Sequence, residues 1–289
     1  MTPDEYCLDR AAKSGSSFYY SFRFLDETRR RAILALYAFC REVDDIVDEC
    51  SDTQIARQKL DWWKDEIDRM FLSEPGHPVT KALHPHLQPF GLAQEYFHEI
   101  IDGMSMDLNQ STYQNFSELS LYCYRVASVV GMLSVHIFGF ENRDTLKYAH
   151  DLGMAFQLTN ILRDVREDAE RGRIYMPLDQ LETFGVSEND LLTKATPDRV
   201  RDLLQSIAER AREFYASAMN HLADVDRYAQ RSGIVMAQIY LATLDEIERD
   251  GFRVLEHRIS LTPIRKLWIA WSTARREKNR FRKNNRQVA

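Results

Sequence analysis

Glycine and proline are scarce in this chain, at 11 and 8 of 289 residues, and they are spread thinly. Few breakers over this length exclude a fold of many short strands and tight turns, and they favour long helices. Cysteine is sparse as well. Cys7, Cys40, Cys50 and Cys123 make no Cys-x-x-Cys pair and no dense framework, so they read as reduced thiols in a cytoplasm. The N-terminus has no apolar stretch and instead carries Asp4, Glu5 and Asp9, so a signal peptide is not expected. The most apolar run, Val126 to Phe140, contains His136 and is bracketed by Arg125 and Glu141. It falls short of the ~20 residues that span a bilayer, and a buried core helix is expected there. Positive charge is also in deficit: the net charge is −6, which excludes a general nucleic-acid binder. There is no G-x-S-x-G, no P-loop and no G-x-G-x-x-G. His84 and His86 lack a nearby cysteine or acidic partner, so a zinc site is not expected.

What is present is an ordinary globular balance, 44% hydrophobic and 28% charged, on a chain long enough to bury a large core. No repeat and no long polar linker divides it, so residues 1–289 read as one all-α domain with a basic tail from about residue 275. Asp26 can cap a helix over Glu27 to Cys50. Further helices fit Thr53 to Leu72, Ala93 to Gln110, Glu118 to Phe140, Arg143 to Ala169, Pro197 to Tyr228, Gly233 to Ile259 and Pro263 to Lys278. Glu74-Pro75-Gly76 is a turn signal followed by a proline-rich stretch through His84-Pro85, and Gly172 to Glu188 reads as a loop with a short helix. The last 25 residues hold nine Lys/Arg against one Glu. They read as a solvated, fraying tail, or more sharply as a peripheral contact with an anionic membrane surface.

Two acidic motifs carry the chemistry. In the first, Asp44 and Asp48 are four residues apart on one helical face, with Tyr37 and Arg41 on the same stripe. Like charges at this spacing destabilise a helix by roughly 0.2–0.5 kcal/mol per pair, and Asp45 adds to the repulsion. Val43, Ile46 and Val47 flank them, so this is no freely solvated acidic face. A hard divalent cation is the natural neutraliser, and Mg²⁺ typically takes one or two carboxylates plus substrate phosphates. In the second motif Gln157, Asn160, Asp164 and Asp168 again step along one face. Arg163 can meet a phosphate bidentately, as Arg41 can in the first. A single D-x₃-D is common on surfaces; two on apolar helices are not. If the two helices face each other, the cavity between them has an acidic rim that admits a diphosphate only through Mg²⁺, which also stabilises the leaving diphosphate. Phe18, Tyr19, Tyr20, Phe22, Tyr122, Tyr124 and Tyr240 are candidates for a greasy tunnel or for stabilising a cation, though most aromatics in such a chain serve as core packing. Asp102 and Asp107, five apart, share a face poorly and read as structural or as supports for other groups.

At these residues the chain resembles the squalene/phytoene synthase family. The likeness runs from Ser14-Gly-Ser-Ser-Phe18 to about Tyr240-Leu-Ala-Thr-Leu-Asp-Glu246. Its most specific pieces are Tyr37 through Asp48, Tyr122-Cys-Tyr-Arg-Val-Ala127, and Gln157 through Pro177 with Gly172-Arg-Ile-Tyr175. The resemblance implies a single helical domain around a central cavity, with Asp44, Asp48, Asp164 and Asp168 binding Mg²⁺-diphosphate. It implies that Ser14, Gly15, Ser16, Ser17, Tyr37, Arg41, Gln157, Asn160, Arg163 and Tyr240 line the substrate sites, and that Tyr122 takes part in deprotonating or steering a cation. Within the family, residues 16–22 and 166–177 look most like bacterial hopanoid-pathway members that make presqualene diphosphate. That likeness implies two farnesyl diphosphates as substrates, Mg²⁺ as cofactor and no use of NADPH. A full NADPH-dependent squalene synthase and a phytoene synthase acting on geranylgeranyl diphosphate are the rival readings. A non-catalytic isoprenoid-binding scaffold is the rival from another class, and it would bind a diphosphate analogue without regard to Mg²⁺.

Overall fold

The computed structural model describes residues 1–13 and 21–288, so the expectations placed on Ser14, Gly15, Ser16, Ser17, Phe18, Tyr19 and Tyr20 lie outside the described residues. The first helix, α1 (Pro3–Lys13), has no counterpart in the sequence reading; it buries only Cys7 and Ala11 and leaves a weak apolar stripe. α2 (Glu27–Glu49) begins where expected, because the Asp26 side chain accepts from the Arg29 amide at 3.0 Å. α3 (Thr53–Phe71) is capped by Asp52, which accepts from the Gln54 and Ile55 amides at 2.8 and 3.2 Å.

The proline-rich stretch after Gly76, to which the sequence assigned no element, is helical from Pro78. It forms α4 (Pro78–Phe90), with Pro85 and Pro89 inside the helix. Each internal proline removes a backbone donor. The helix holds because Val79, Ala82, Leu83 and Leu87 are buried and α4 packs on α1 and α2. Its start is fastened by Glu66 of α3, whose fully buried carboxylate accepts from the Gly76 and His77 amides at 2.7 Å each, and from Thr80 and Arg69. Burial alone would raise the Glu66 pKa, but these donors hold it down at about 2.

α5 (Gln94–Asn109) leads to α6 (Phe116–Cys123), which runs through a π turn at Tyr124–Ser128 into α7 (Val129–Phe138). The whole segment Phe116–Phe138 is long and apolar enough to cross a membrane by length and composition, but half of its most apolar window is buried inside the protein. It packs on α8 (Asp144–Glu170) as a core helix, as expected. The approach is close: a Cβ on Gly153 of α8 would lie 2.4 Å from the Ser128 Cα. α8 is buried on most sides, with Leu152, Met154, Leu158, Ile161 and Leu162 inside, and it packs lengthwise on α11 (below).

Short helices α9 (Leu178–Phe184) and α10 (Glu188–Leu191) precede α11 (Asp198–His221). α12 (Arg231–Arg249) stops ten residues before the expected Ile259, because Gly251 (φ 73°) and Phe252 (φ 59°) adopt left-handed backbone. α13 (Pro263–Val288) continues well past Lys278, so the basic tail is helix. Among the described residues every regular element is helical, and extended pairing is limited to one isolated bridge between Thr112 and Ile174. One continuous core joins α1 to α12, and a smaller one, including Val235, Ile239, Ile269 and Ala270, seats α13 on α12.

Candidate active site

A cavity of about 590 Å³ lies between α2 and α8, closed by residues of α7 and α12. Its character is graded along both helices. Ile33 and Leu36 of α2 and Ala149 and Leu152 of α8 line the apolar part. Arg41 and Asp44 of α2 and Gln157, Asn160 and Arg163 of α8 line the polar part, with Tyr37 between. Tyr240 enters from α12, 4.5 Å from Phe156 by ring centroids. Its hydroxyl is engaged by Asn160 and Arg163. Six of the residues expected to line the substrate sites, with the expected metal ligand Asp44, therefore share one cavity.

Asp48, Asp164 and Asp168 lie outside the cavity lining, one or two helical turns further along from Asp44 and Asn160. They fall at the C-terminal ends of α2 and α8, neither of which has a basic residue in its last turn. The helix dipole places partial negative charge there, so both ends set acid against acid and favour a cation. Arginines supply the opposing charge. Arg41 donates to Asp44 at 2.6 Å and also to Asp45. Arg173 and Arg171 donate to Asp48 at 2.7 and 3.2 Å, and Arg173 also reaches the Val47 carbonyl at 2.9 Å. Arg163 grips Asp164 with two nitrogens, and Arg258 stands 3.3 Å from the same carboxylate. Residual strain shows in the pKa values. Partial burial, with Asp48 next to it, pushes Asp44 up to about 6. Partial burial, with Asp164 next to it, pushes Asp168 up to about 7. Carboxylates so placed want a cation.

Among the described residues no three His, Cys, Asp or Glu side chains converge into a self-sufficient metal site. That fits Mg²⁺, which uses one or two carboxylates and completes its octahedron with water and substrate phosphate. Asp44 with Asp48, and Asp164 with Asp168, are the pairs that would hold it.

Three residues beside this rim were not singled out by spacing. Asp107 of α5 sits between the two acidic faces: the carboxylates of Asp44, Asp48 and Asp168 all interact with it electrostatically. It accepts from the Tyr175 hydroxyl at 2.8 Å and lies 3.0 Å from the Tyr122 hydroxyl. Burial pushes its pKa up to about 6. The rings of Tyr122 and Tyr175 stack at 5.0 Å, and Tyr113 packs against both. Burial, and then Asp107, hold the Tyr122 phenol well above its ordinary range, so it is a neutral hydroxyl. Of the two readings open for Asp107, structural or a support for other groups, the contacts are those of a support: it fastens the two tyrosines at the acidic rim. Its same-helix spacing to Asp102 gives no hint of this, because its partners come from α6 and from the loop after α8. Tyr175 and Arg173 stand in the Gly172–Tyr175 stretch, where the Gly-Arg pair was the available signal.

Comparisons with known proteins bear on the family and the fold. The sequence model of squalene/phytoene synthase matches residues 11–265. A phytoene synthase of Arthrospira platensis is 38% identical over 267 residues, covering 88% of this chain and 86% of that one. The 15-cis-phytoene synthase of Synechocystis sp. is 36% identical over 285 residues, covering 93% and 85%. Among solved structures, a dehydrosqualene synthase in complex with ligand superposes with a TM-score of 0.85 at 27% identity, covering 96% of this chain and 97% of that one. A squalene synthase from Alicyclobacillus acidocaldarius superposes with a TM-score of 0.76 at 29% identity, covering 86% and 94%.

Proposed function

Because the chain belongs to the squalene/phytoene synthase family, we propose that it joins two identical prenyl diphosphates head to head, in a Mg²⁺-dependent reaction that begins with loss of diphosphate from one of them. The observation that carries this reading is the pairing of an apolar cavity with two carboxylate pairs on opposing helices, Asp44 and Asp48 against Asp164 and Asp168.

Mg²⁺, when bound, supplies Lewis acidity to a leaving diphosphate. The chain's own residues do the rest. Arg41 and Arg163, now folded onto Asp44 and Asp164, are the cations that a diphosphate would draw away. As the C–O bond breaks, its electron pair leaves with the diphosphate and an allylic cation remains. The cavity walls exclude water from it, and the Tyr37, Phe156 and Tyr240 rings offer π faces worth up to ~2 kcal/mol to a desolvated cation. The C2–C3 double bond of the second substrate attacks C1 of the cation. Loss of a proton from that carbon closes a cyclopropane, leaving a cyclopropylcarbinyl diphosphate. The departed diphosphate is one acceptor for the proton; Tyr122, whose hydroxyl lies 3.0 Å from Asp107 and outside the cavity lining, is the residue that the family resemblance offers for steering or relaying it.

On substrate length the relatives weigh toward the twenty-carbon reading, geranylgeranyl diphosphate, since those at 36–38% identity are named phytoene synthases. The fifteen-carbon reading, farnesyl diphosphate to presqualene diphosphate, keeps specific support: the likeness of residues 16–22 and 166–177 to hopanoid-pathway members, and structural neighbours named for squalene-type products. Incubation with Mg²⁺ and each substrate in turn, with and without NADPH, tests both. Phytoene from the C20 substrate supports the first. Presqualene diphosphate from the C15 substrate, unchanged by NADPH, supports the second, and squalene only with NADPH makes the chain a complete squalene synthase. No product from either substrate would overturn the condensation itself.

A further inference from the structure

The strongest feature outside the cavity is the outer face of α13. Its inner face, Ile269, Ala270, Thr273, Ala274 and Glu277, is buried on α12 and its neighbours. On the opposite side Ile264, Leu267, Trp268 and Trp271 form an i, i+3, i+4, i+7 stripe in solvent, with exposures of 80%, 44%, 64% and 54%. Four large apolar side chains in two helical turns make a contiguous patch, and such patches mark interaction sites. The same face then changes character. Arg275, whose guanidinium lies 5.3 Å from the Trp271 ring, is followed at helical spacing by Lys278 and Arg282, all exposed. The last 25 residues carry nine Lys/Arg and one Glu in a chain of net charge −6. This segment is therefore net positive while the remainder of the chain is net negative.

Position adds a second argument. Arg258, Ser260, Leu261 and Lys266, which lead into and begin α13, line the same cavity that the acidic motifs face. The exposed tryptophans thus lie within two turns of a cavity wall.

We infer that the outer face of α13 docks on an anionic lipid bilayer, with Trp268 and Trp271 in the headgroup layer and Arg275, Lys278 and Arg282 over acidic headgroups. Tryptophan is favoured at the membrane–water boundary, and a helix with an apolar stripe beside Lys/Arg lies in the interface plane. Basic side chains near such a surface are drawn to its acidic headgroups, and a neutral or cationic protein surface has no use for them. Docking so places the cavity wall formed by Leu261 and Lys266 against the bilayer, which is where a product carrying two joined prenyl chains partitions. The reason for docking rests on the proposed condensation, but the surface itself does not.

The test uses the full chain with vesicles of phosphatidylcholine alone and of phosphatidylcholine mixed with phosphatidylglycerol, without substrate. Binding is read by sedimentation and by tryptophan emission. The expected result is binding to the anionic vesicles, a blue shift on binding, and release by salt as screening rises. Trp268→Ser with Trp271→Ser should weaken binding roughly tenfold or more and remove the blue shift. Arg275→Glu, Lys278→Glu and Arg282→Glu together should abolish the preference for anionic lipid. Circular dichroism and turnover of detergent-dispersed substrate should stay as in the parent for both variants, which separates this outcome from misfolding and from failure of the condensation. The inference is overturned if the parent stays in the supernatant with both vesicles. It is equally overturned if the tryptophan variant binds as the parent does, or if those substitutions instead dissociate an oligomer of this chain.

Discussion

Asp44 and Asp168 are the most informative single residues, because their surroundings oppose their own charge. With folded pKa values raised to about 6 and about 7, they hold protons that the unfolded chain releases near the ordinary carboxylate range. The folded state then binds more protons than the unfolded state between about pH 4 and 7, so these groups make the metal-free protein less stable as pH rises through that window. Mg²⁺ with inorganic diphosphate relieves the repulsion and requires the ionised forms. The melting temperature should therefore gain more from Mg²⁺ and diphosphate at about pH 8 than at about pH 5. Equal gains at both pH values would contradict the assignment of these carboxylates. Asp44→Asn and Asp164→Asn should each lower kcat by roughly 10²-fold or more while leaving the fold intact. Tyr122→Phe keeps the stack with Tyr175 but loses the hydroxyl beside Asp107. It should change kcat, or the ratio of products, without changing thermal stability by more than about 1 kcal/mol. Product analysis under single turnover separates the two effects.

At the scale of helices, the structure depends on a few close approaches and on buried charge that is fully bonded. Gly153 has no room for a side chain where α8 crosses the π turn. Gly153→Ala must push the two segments apart and should destabilise by about 1–3 kcal/mol, as overpacking does. Because Gly153 and Ala127 also line the cavity, turnover should fall with stability. Glu66 is the second case. Glu66→Ala leaves the Gly76 and His77 amides and the Thr80 hydroxyl without their acceptor, and should lower stability by about 2–4 kcal/mol in urea denaturation. Glu66 is far along α3 from the acidic rim, so the surviving folded fraction should keep its substrate KM. The π turn itself lengthens the helical path by one turn residue between Tyr122 and Val130. It thereby lets one segment present Tyr122 to Asp107 and Val126, Ala127 and Val130 to the cavity.

For the whole molecule, the arrangement is a gradient: apolar toward the N-terminal halves of α2 and α8, acidic toward their C-terminal ends, basic on the far helix α13. Depth along the apolar part is what a prenyl chain senses. Ile33 lies one turn from Tyr37, and Leu36 one turn from Cys40, toward the N-terminal end of α2. Enlarging the cavity by Leu36→Ala should shift preference toward the longer diphosphate, measured as the ratio of kcat/KM for C20 over C15 substrate. A roughly tenfold change is expected for removing a buried side chain of that size. An unchanged ratio would place the length gauge elsewhere.

The helical class, the long helices α2, α3, α8 and α11, and both acidic faces were legible in the sequence because each rests on local physics. Asp26 and Asp52 cap with their own side chains, and residues three and four apart share a helical face wherever that helix goes. α1 and α4 were not legible: the first has too weak a stripe, and the second is held against its own prolines by burial on neighbours. The ends of α11 and α12 also moved: α11 stops at His221, short of the expected Tyr228, where Leu222 turns to extended backbone, and the left-handed backbone at Gly251 and Phe252 that ends α12 leaves little trace in composition. Asp107 was legible only as a carboxylate on a helix. Its pairing with Tyr122 and Tyr175, like the arginines that Asp48 draws from the loop after α8, joins residues far apart in sequence. The sequence by itself determined the chemistry available to this protein, through residue types at helical spacing. Only the tertiary structure decided which of those residues meet, because contact between α2, α5 and α8 depends on how whole helices pack and on no pattern within any one of them.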